Sequence, residues 1–68
     1  MLNQLRVERA RRRWSQAHLA ELVGVSRQTI NAIEGGKYVP STVLALKIVA
    51  VFELPFAEVF VLEDSDWE

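Results

Sequence analysis

The chain has 68 residues and a mass of 7.8 kDa, which is enough for one small domain with one modest core. Half of its residues are apolar, a quarter are charged, and Gly and Pro are few, which is typical of a globular domain and excludes a disordered or fibrous chain. The absence of Cys and the single His, His18, leave no thiolate or histidine set for a metal or for acid/base work. We therefore expect no catalytic residues, no metal and no cofactor.

The sequence also gives no sign of a membrane partner. No apolar run approaches the roughly 18 residues that a spanning helix needs, and the N-terminal stretch MLNQLRVERARRR has no apolar signal core. We expect a soluble, cytoplasmic protein.

The charged residues are divided unevenly along the chain. The formal charge is −1 in total, but residues 1–37 carry a net +4 and residues 38–68 a net −5. One interpretation is a positive face for an anionic partner, with the acidic half turned away. Ordinary solvated surface charge explains the same division, so the charge alone does not decide between them.

Cap residues and apolar spacing predict three helices in the first half. The first covers residues 3–12, with Asn3 as its N-cap and a run of Arg at its C-terminal end. Ser15 caps a second helix of two turns, which Gly24 ends in the left-handed conformation. Ser26 caps a third helix over residues 27–34, and Gly35 and Gly36 end it.

The second half predicts two more helices. Pro40 belongs to a loop, because proline cannot lie inside a helix, and Ser41 caps a fourth helix over residues 42–52. A short fifth helix covers residues 56–60, and residues 61–68 form a tail or a strand. The predicted fold is an all-α, compact five-helix bundle in a single domain of residues 1–68.

The second and third helices, joined by Gly24-Val25-Ser26, form a helix-turn-helix over residues 16–34. The segment SQAHLAELVGVSRQTINAIEGGK closely resembles the DNA-binding motif of the Cro/C1 (Xre) repressor family. LRVER near the N-terminus, YVPS after the motif and LALKIVAVFELPFAEVF resemble the remaining helices of short Xre-type regulators, including the dimeric repressor of cytolysin operons. The resemblance implies a phage-repressor type of fold and a transcriptional regulator of double-stranded DNA, with a repressor role the expected one.

The third helix carries the predicted base contacts. Its 3.6-residue period turns Ile30 and Ile33 inward and leaves Arg27, Gln28 and Asn31 on the opposite side. Arg pairs with two acceptors on guanine, and Gln or Asn pairs in the same two-point way with adenine. The alternative interpretation is that this polar face has no binding role and is the solvated side of an amphipathic helix.

A second group of residues is predicted to bind the DNA backbone. Serine and glutamine at a helix N-terminus lie where free N–H groups favour a phosphate, and the resemblance implies that Gln16 also supports Gln28. Residues that flank the third helix are placed to bind the phosphates on either side of it. The predicted backbone contacts are Ser15, Gln16, Ser26, Thr29, Lys37 and Tyr38.

The resemblance also implies an ion pair between Arg9 of the first helix and Glu34 at the end of the third. One departure from the family pattern lies nearby, because Glu8 occupies a position that is usually apolar. Arg12, four residues later, can pair with it on the same helix face.

The second half contains more apolar residues than one small core can bury, which predicts a homodimer. We expect a dimerisation segment over about residues 54–68 with Phe56, Val61 and Leu62 in the interface. Val61-Leu62 is predicted to pair as a strand with Met1-Leu2, as in the cytolysin repressor type. An alternative function for the same half is that of an antitoxin-like module whose acidic, apolar surface covers a protein partner.

Overall fold

Five helices and one small antiparallel sheet make up the computed structural model, which describes residues 1–68. The predicted all-α, five-helix class and the terminal strand pairing are confirmed. No helix has the length and apolarity to cross a membrane. In chain order the elements are β1 (Leu2–Asn3), α1 (Leu5–Arg11), α2 (Gln16–Val23), α3 (Arg27–Glu34), α4 (Thr42–Phe52), α5 (Phe56–Val59), β2 (Phe60–Val61) and a 3₁₀ turn (Asp64–Trp67).

The three central helices begin at the serines that the sequence indicates. Ser15, Ser26 and Ser41 each accept a hydrogen bond from the backbone N–H three residues later, at 2.9, 3.2 and 3.2 Å. This contact satisfies one of the N–H groups that a helix start leaves free. Gly24 ends α2 with a φ of +77°, a conformation that favours glycine.

The predicted N-terminus of the first helix is wrong by two residues. Asn3 belongs to β1, and α1 begins at Leu5 after Gln4, whose side chain makes no capping contact. The Asn3 side chain still accepts a hydrogen bond from the Leu5 N–H at 3.2 Å. The capping signal is therefore real, but pairing with β2 takes the backbone of Asn3 out of the helix.

The two terminal strands pair, as predicted, and the pairing is antiparallel. Leu2 lies opposite Val61 and Asn3 opposite Phe60. The paired strands are therefore residues 2–3 and 60–61, whereas the sequence predicted residues 1–2 and 61–62. This shift also ends α5 at Val59, one residue before the predicted end. The last residues form a 3₁₀ turn instead of a tail or strand, because Glu63 and Asp66 cap each other's backbone.

A single apolar core lies between the helices and the sheet. The inward stripes of α2, α3 and α4 meet there, closed by Leu5 from α1 and by the chain around α5 and β2. Removing this apolar surface from water is the main term that holds so small a domain together. The 13 buried apolar residues are Leu5, Leu19, Ala20, Val23, Ile30, Ile33, Leu44, Ala45, Ile48, Val49, Phe52, Val59 and Phe60.

Glu8 is buried next to this core and is fully paired. Its carboxylate accepts from Arg12 at 2.9 Å and from Arg11 at 3.1 Å. Arg12 also donates to the carbonyl oxygen of Phe52 at 2.7 Å, and its guanidinium lies 4.9 Å from the Phe52 ring centroid. The charge at a usually apolar position thus connects α1 to the C-terminal end of α4, where a cation is favoured.

Two residues other than glycine adopt left-handed backbone conformations. Arg13 follows α1 with a φ of +57°, and Glu53 follows α4 with a φ of +58°. This conformation costs an L-residue about 1–2 kcal/mol. Glu53 is exposed, and its side chain makes no hydrogen bond or ion pair that would compensate.

We expect Glu53→Gly to stabilise the domain by about 0.5–1 kcal/mol, since glycine removes the strain but orders a more flexible unfolded chain. Denaturant unfolding followed by circular dichroism measures the change. Ala50→Gly on the exposed face of α4 is the matched control, and it should destabilise by about 1 kcal/mol. Destabilisation by both substitutions would contradict the strain at Glu53.

Candidate nucleic-acid interface

The third helix, α3, has one buried and one exposed face. Ile30 and Ile33 are 0% and 1% exposed, so they fix the rotation of the helix about its axis. Arg27, Gln28 and Asn31 are all exposed and make no side-chain hydrogen bond within the chain. Their donors and acceptors are therefore open to solvent, on the face opposite Ile30 and Ile33 that the helical period predicts.

The C-terminal end of α3 is held by a two-point ion pair. Arg9 of α1 donates from Nε to Glu34 Oε2 at 2.8 Å and from Nη2 to Oε1 at 3.0 Å. The Glu34 side chain has no exposed surface, and that of Arg9 is 17% exposed. Arg9 also donates to the Trp14 carbonyl oxygen at 2.9 Å, so one guanidinium fixes α3 and the turn between α1 and α2.

The same carboxylate has two further partners. Gln16, the first residue of α2, donates from Nε2 to Glu34 Oε1 at 3.1 Å, and Arg6 Nε lies 3.7 Å from that oxygen. Burial opposes ionisation of Glu34, but hydrogen bonds from Arg9 and Gln16, with the charges of Arg9 and Arg6, hold its pKa below the ordinary value. The ionised form is therefore the one that the fold favours.

This lowered pKa sets a direction for acid sensitivity. A carboxyl group whose pKa is lower in the folded than in the unfolded state contributes stability above its unfolded pKa of about 4.3. That contribution is lost as the pH falls further, through the folded pKa. The linkage between α1, α2 and α3 is therefore complete at neutral pH and weakens only in acid.

Asn3 is a supporting residue that the sequence pattern did not identify in this role. Its side-chain amide donates to the carbonyl oxygen of Ile33 at 2.9 Å. The strand pair and the last turn of α3 are thereby connected across 30 positions of sequence. The only sequence signal was a capping residue, which indicated the contact to Leu5 and not this one.

The predicted backbone contacts lie at the N-terminal ends of α2 and α3 and directly after α3. Ser15 and Ser26 serve as caps, and each hydroxyl accepts through oxygen while a serine hydroxyl can also donate. Thr29 Oγ1 lies 3.0 Å from Ser26 Oγ. Lys37 and Tyr38 are exposed after the helix, so their side chains are open to solvent. Gln16 makes its hydrogen bond with Glu34 and none with Gln28, unlike the support that the resemblance implied.

The three predicted dimer residues are exposed in the single chain. Phe56, Val61 and Leu62 are 43%, 46% and 57% exposed. Leu2, directly opposite Val61 in the sheet, is 54% exposed and was not among the predicted interface residues. Side chains at directly paired positions point to the same face of a sheet, so Leu2 and Val61 form one apolar surface at the chain termini.

The fold and the exposed α3 define a helix-turn-helix protein. Residues 2–59 match the family described as the helix-turn-helix domain, and the chain belongs to that family. It is 50% identical over 66 residues to the uncharacterized HTH-type transcriptional regulator YgzD of Bacillus subtilis, covering 97% of this chain and 100% of that protein. It is similarly 47% identical over 66 residues to the uncharacterized HTH-type transcriptional regulator MJ0272 of Methanocaldococcus jannaschii, with the same coverage.

A third relative covers this chain completely. An uncharacterized HTH-type transcriptional regulator of Archaeoglobus fulgidus is 39% identical over 69 residues, which is 100% of this chain and 97% of that protein. The alignments with these three relatives thus cover 97–100% of this chain and extend beyond α5.

We expect Arg9→Ala and Glu34→Ala each to destabilise the domain by about 3 kcal/mol, since each leaves a charge without its partner. The double variant should lose less than the sum of the two by about 1 kcal/mol or more, because the side chains are in contact. Urea unfolding of the four proteins measures both quantities. Strictly additive losses would show that the two side chains are not energetically coupled.

Proposed function

We propose that this protein is a sequence-specific regulator of transcription that binds double-stranded DNA through the major groove. We infer further that it belongs to the Cro/C1 (Xre) branch, acts as a repressor, and works in the cytoplasm where its target DNA lies. The single observation that carries the proposal is the exposed row of Arg27, Gln28 and Asn31 on a helix whose opposite face is buried. The names of the relatives support the same class of function.

The physical basis is the match between this helix face and the edges of base pairs. Arg27 can donate two hydrogen bonds to guanine. The side-chain amide of Gln28 or of Asn31 can donate one hydrogen bond to adenine and accept another from it. The hydrogen bonds from Arg9 and Asn3 to the C-terminal end of α3 support a fixed position of the helix backbone that carries the three side chains. A helix held on a rigid core places its side chains at defined points along a groove, which favours discrimination between sequences.

The backbone contacts proposed beside them give affinity and register. Ser15, Gln16, Ser26 and Thr29 lie at the N-termini of α2 and α3, and Lys37 and Tyr38 follow α3. The net +4 charge of residues 1–37 favours approach of this half to phosphates. The acidic half then faces away from the duplex, so a net charge of −1 is compatible with a DNA partner.

We propose a homodimer because one α3 reads only a few base pairs, too few to select one site in a genome. The apolar residues Leu2, Phe56, Val61 and Leu62 are each 43–57% exposed and lie at or beside the strand pair, whose outer edges are unpaired. A second copy covers them by two-fold symmetry, since each copy brings the same surface. Two α3 helices about 34 Å apart then require an operator with inverted half-sites about 10 base pairs apart, or a multiple of that.

Selection of bound duplexes from a random-sequence pool, followed by footprinting of the selected sites, tests the function. The expected result is an enriched motif with inverted symmetry and the predicted half-site spacing. Footprinting on the DNA upstream of the protein's own gene extends the test, because small repressors often control their own promoters. A pool that shows no enrichment after repeated rounds would overturn the proposal.

Arg27→Ala should lower affinity for the selected operator about tenfold or more and relax the preference at one base pair, because it removes a two-point contact to a base. Lys37→Ala should instead weaken binding to the operator and to random DNA alike, and make the slope of log affinity against log salt shallower by about 1. Fluorescence anisotropy over a salt series measures both. Identical behaviour of the two variants on both duplexes would contradict this division of roles.

Leu62→Asp should convert the dimer to a monomer by placing a charge in an apolar contact, and lower operator affinity much more than random-DNA affinity. Sedimentation velocity at micromolar concentration measures the assembly. Leu46→Asp on α4 is the matched control, since Leu46 is 52% exposed and lies outside the proposed interface. A monomeric unsubstituted protein, or equal effects of the two substitutions, would argue against the interface.

The exposed, acidic C-terminal segment also favours a second candidate, an antitoxin-like function in which a protein partner covers this surface. Trp67 is 78% exposed there, next to Glu63, Asp64, Asp66 and Glu68. A monomer that becomes heterodimeric with the product of a directly adjacent gene would support this function over the homodimer.

A further inference from the structure

We propose that Glu34 is a positioning residue for DNA binding, which fixes the side-chain amide of Gln16 through a hydrogen bond and thereby sets how Gln16 contacts a phosphate. This inference rests on the proposed DNA-binding function and adds a role that the base and backbone contacts do not include. Glu34 itself does not touch DNA in this scheme. Its effect passes through one hydrogen bond between two elements of the helix-turn-helix.

The chemistry of the contact fixes the orientation of the amide. An ionised carboxylate only accepts hydrogen bonds, so the Gln16 atom at 3.1 Å from Glu34 Oε1 must be the NH₂ nitrogen and not the carbonyl oxygen. One N–H of Gln16 is used in this bond. The second N–H and the Oε1 atom make no hydrogen bond within the chain, which leaves one donor for a phosphate oxygen.

The carboxylate is itself held rigidly. Arg9 donates to both of its oxygens, and the side chain is completely buried. A buried carboxylate that accepts hydrogen bonds at both oxygens has few alternative positions. The Gln16 amide that donates to it therefore loses conformational freedom before DNA binds. Preorganised donors bind more tightly because less ordering occurs on association.

Two other glutamines provide an internal comparison. Gln4 and Gln28 are exposed, and neither side chain makes a hydrogen bond within the chain. Only Gln16 combines a position at the start of α2 with a charged, buried acceptor. The proposal therefore predicts that, in the free protein, the side-chain amide of Gln16 is more ordered than those of Gln4 and Gln28.

The DNA experiment replaces the whole ion pair, so that no unpaired charge is buried and the net charge is unchanged. The double substitution Arg9→Met with Glu34→Met removes the acceptor of the Gln16 hydrogen bond. It is made once in the protein that keeps Gln16 and once in the Gln16→Met variant. Binding to a mixed-sequence 20-base-pair duplex at low salt serves as the readout, because a phosphate contact does not depend on sequence. The control is Glu8→Met with Arg12→Met, the second ion pair of α1.

We expect the Arg9/Glu34 replacement to weaken duplex binding about two- to tenfold with Gln16 present, the range of one hydrogen bond, and to have a clearly smaller effect in the Gln16→Met background. The slope against salt should stay the same, because no cation that contacts DNA is lost. Equal weakening in both backgrounds, or equal weakening by the Glu8/Arg12 control, would overturn the positioning role. Failure of the unsubstituted protein to bind the duplex would instead contradict the proposed function.

A measurement on the unsubstituted protein tests the positioning role even if the variant with Arg9 and Glu34 replaced does not fold. In ¹H–¹⁵N spectra the Gln16 side-chain amide should exchange with solvent more slowly than those of Gln4 and Gln28. Its two protons should also be further apart in chemical shift, because only one of them is bonded to a carboxylate. A Gln16 amide that behaves like the other two would overturn the proposal without any DNA being present.

Discussion

The buried carboxylate of Glu34 is the contact on which the arrangement of the first three helices depends. Arg9 approaches both of its oxygens from α1, and Gln16 approaches one of them from the start of α2. A buried charge is costly unless its hydrogen-bonding capacity is filled. The fold meets that requirement only when α1, α2 and the end of α3 meet at one point, so this carboxylate selects their relative positions.

The first helix, α1, is therefore best understood as a connector with two ionic faces. One face reaches α3 through Arg9, and the other reaches the C-terminal end of α4 through Arg12 and the buried Glu8. Apolar packing is not directional, whereas these hydrogen bonds have fixed lengths and angles. In a chain with only 13 core residues, such contacts restrict how the helices slide over one another.

A small core also explains the exposed apolar surface at the chain termini. The strand pair brings Leu2 next to Val61, and both remain about half exposed. A domain of this size cannot enclose every apolar side chain, because surface grows relative to volume as chains become shorter. In the proposed homodimer a second copy covers these residues, while α3 remains free for DNA.

Local signals in the sequence were sufficient for the helices that carry the helix-turn-helix. The bounds of α3 and α4, the caps at Ser15, Ser26 and Ser41, and the left-handed Gly24 all depend on residues within a few positions of one another. The alternation of Ile30 and Ile33 with exposed polar residues has the same local origin. The sequence alone therefore determined which face of α3 is exposed.

The tertiary structure alone decided which partners the polar side chains take. Asn3 lies in β1, where its backbone pairs with β2, and its side chain donates to the Ile33 carbonyl oxygen. Gln16 donates to Glu34 and not to Gln28, and Arg12 donates to the Phe52 carbonyl oxygen. The partners are 18 to 40 positions apart in the chain. Propensity and periodicity describe neighbours within one element, and the choice among several distant acceptors is made only when the packed helices bring one of them within hydrogen-bond distance.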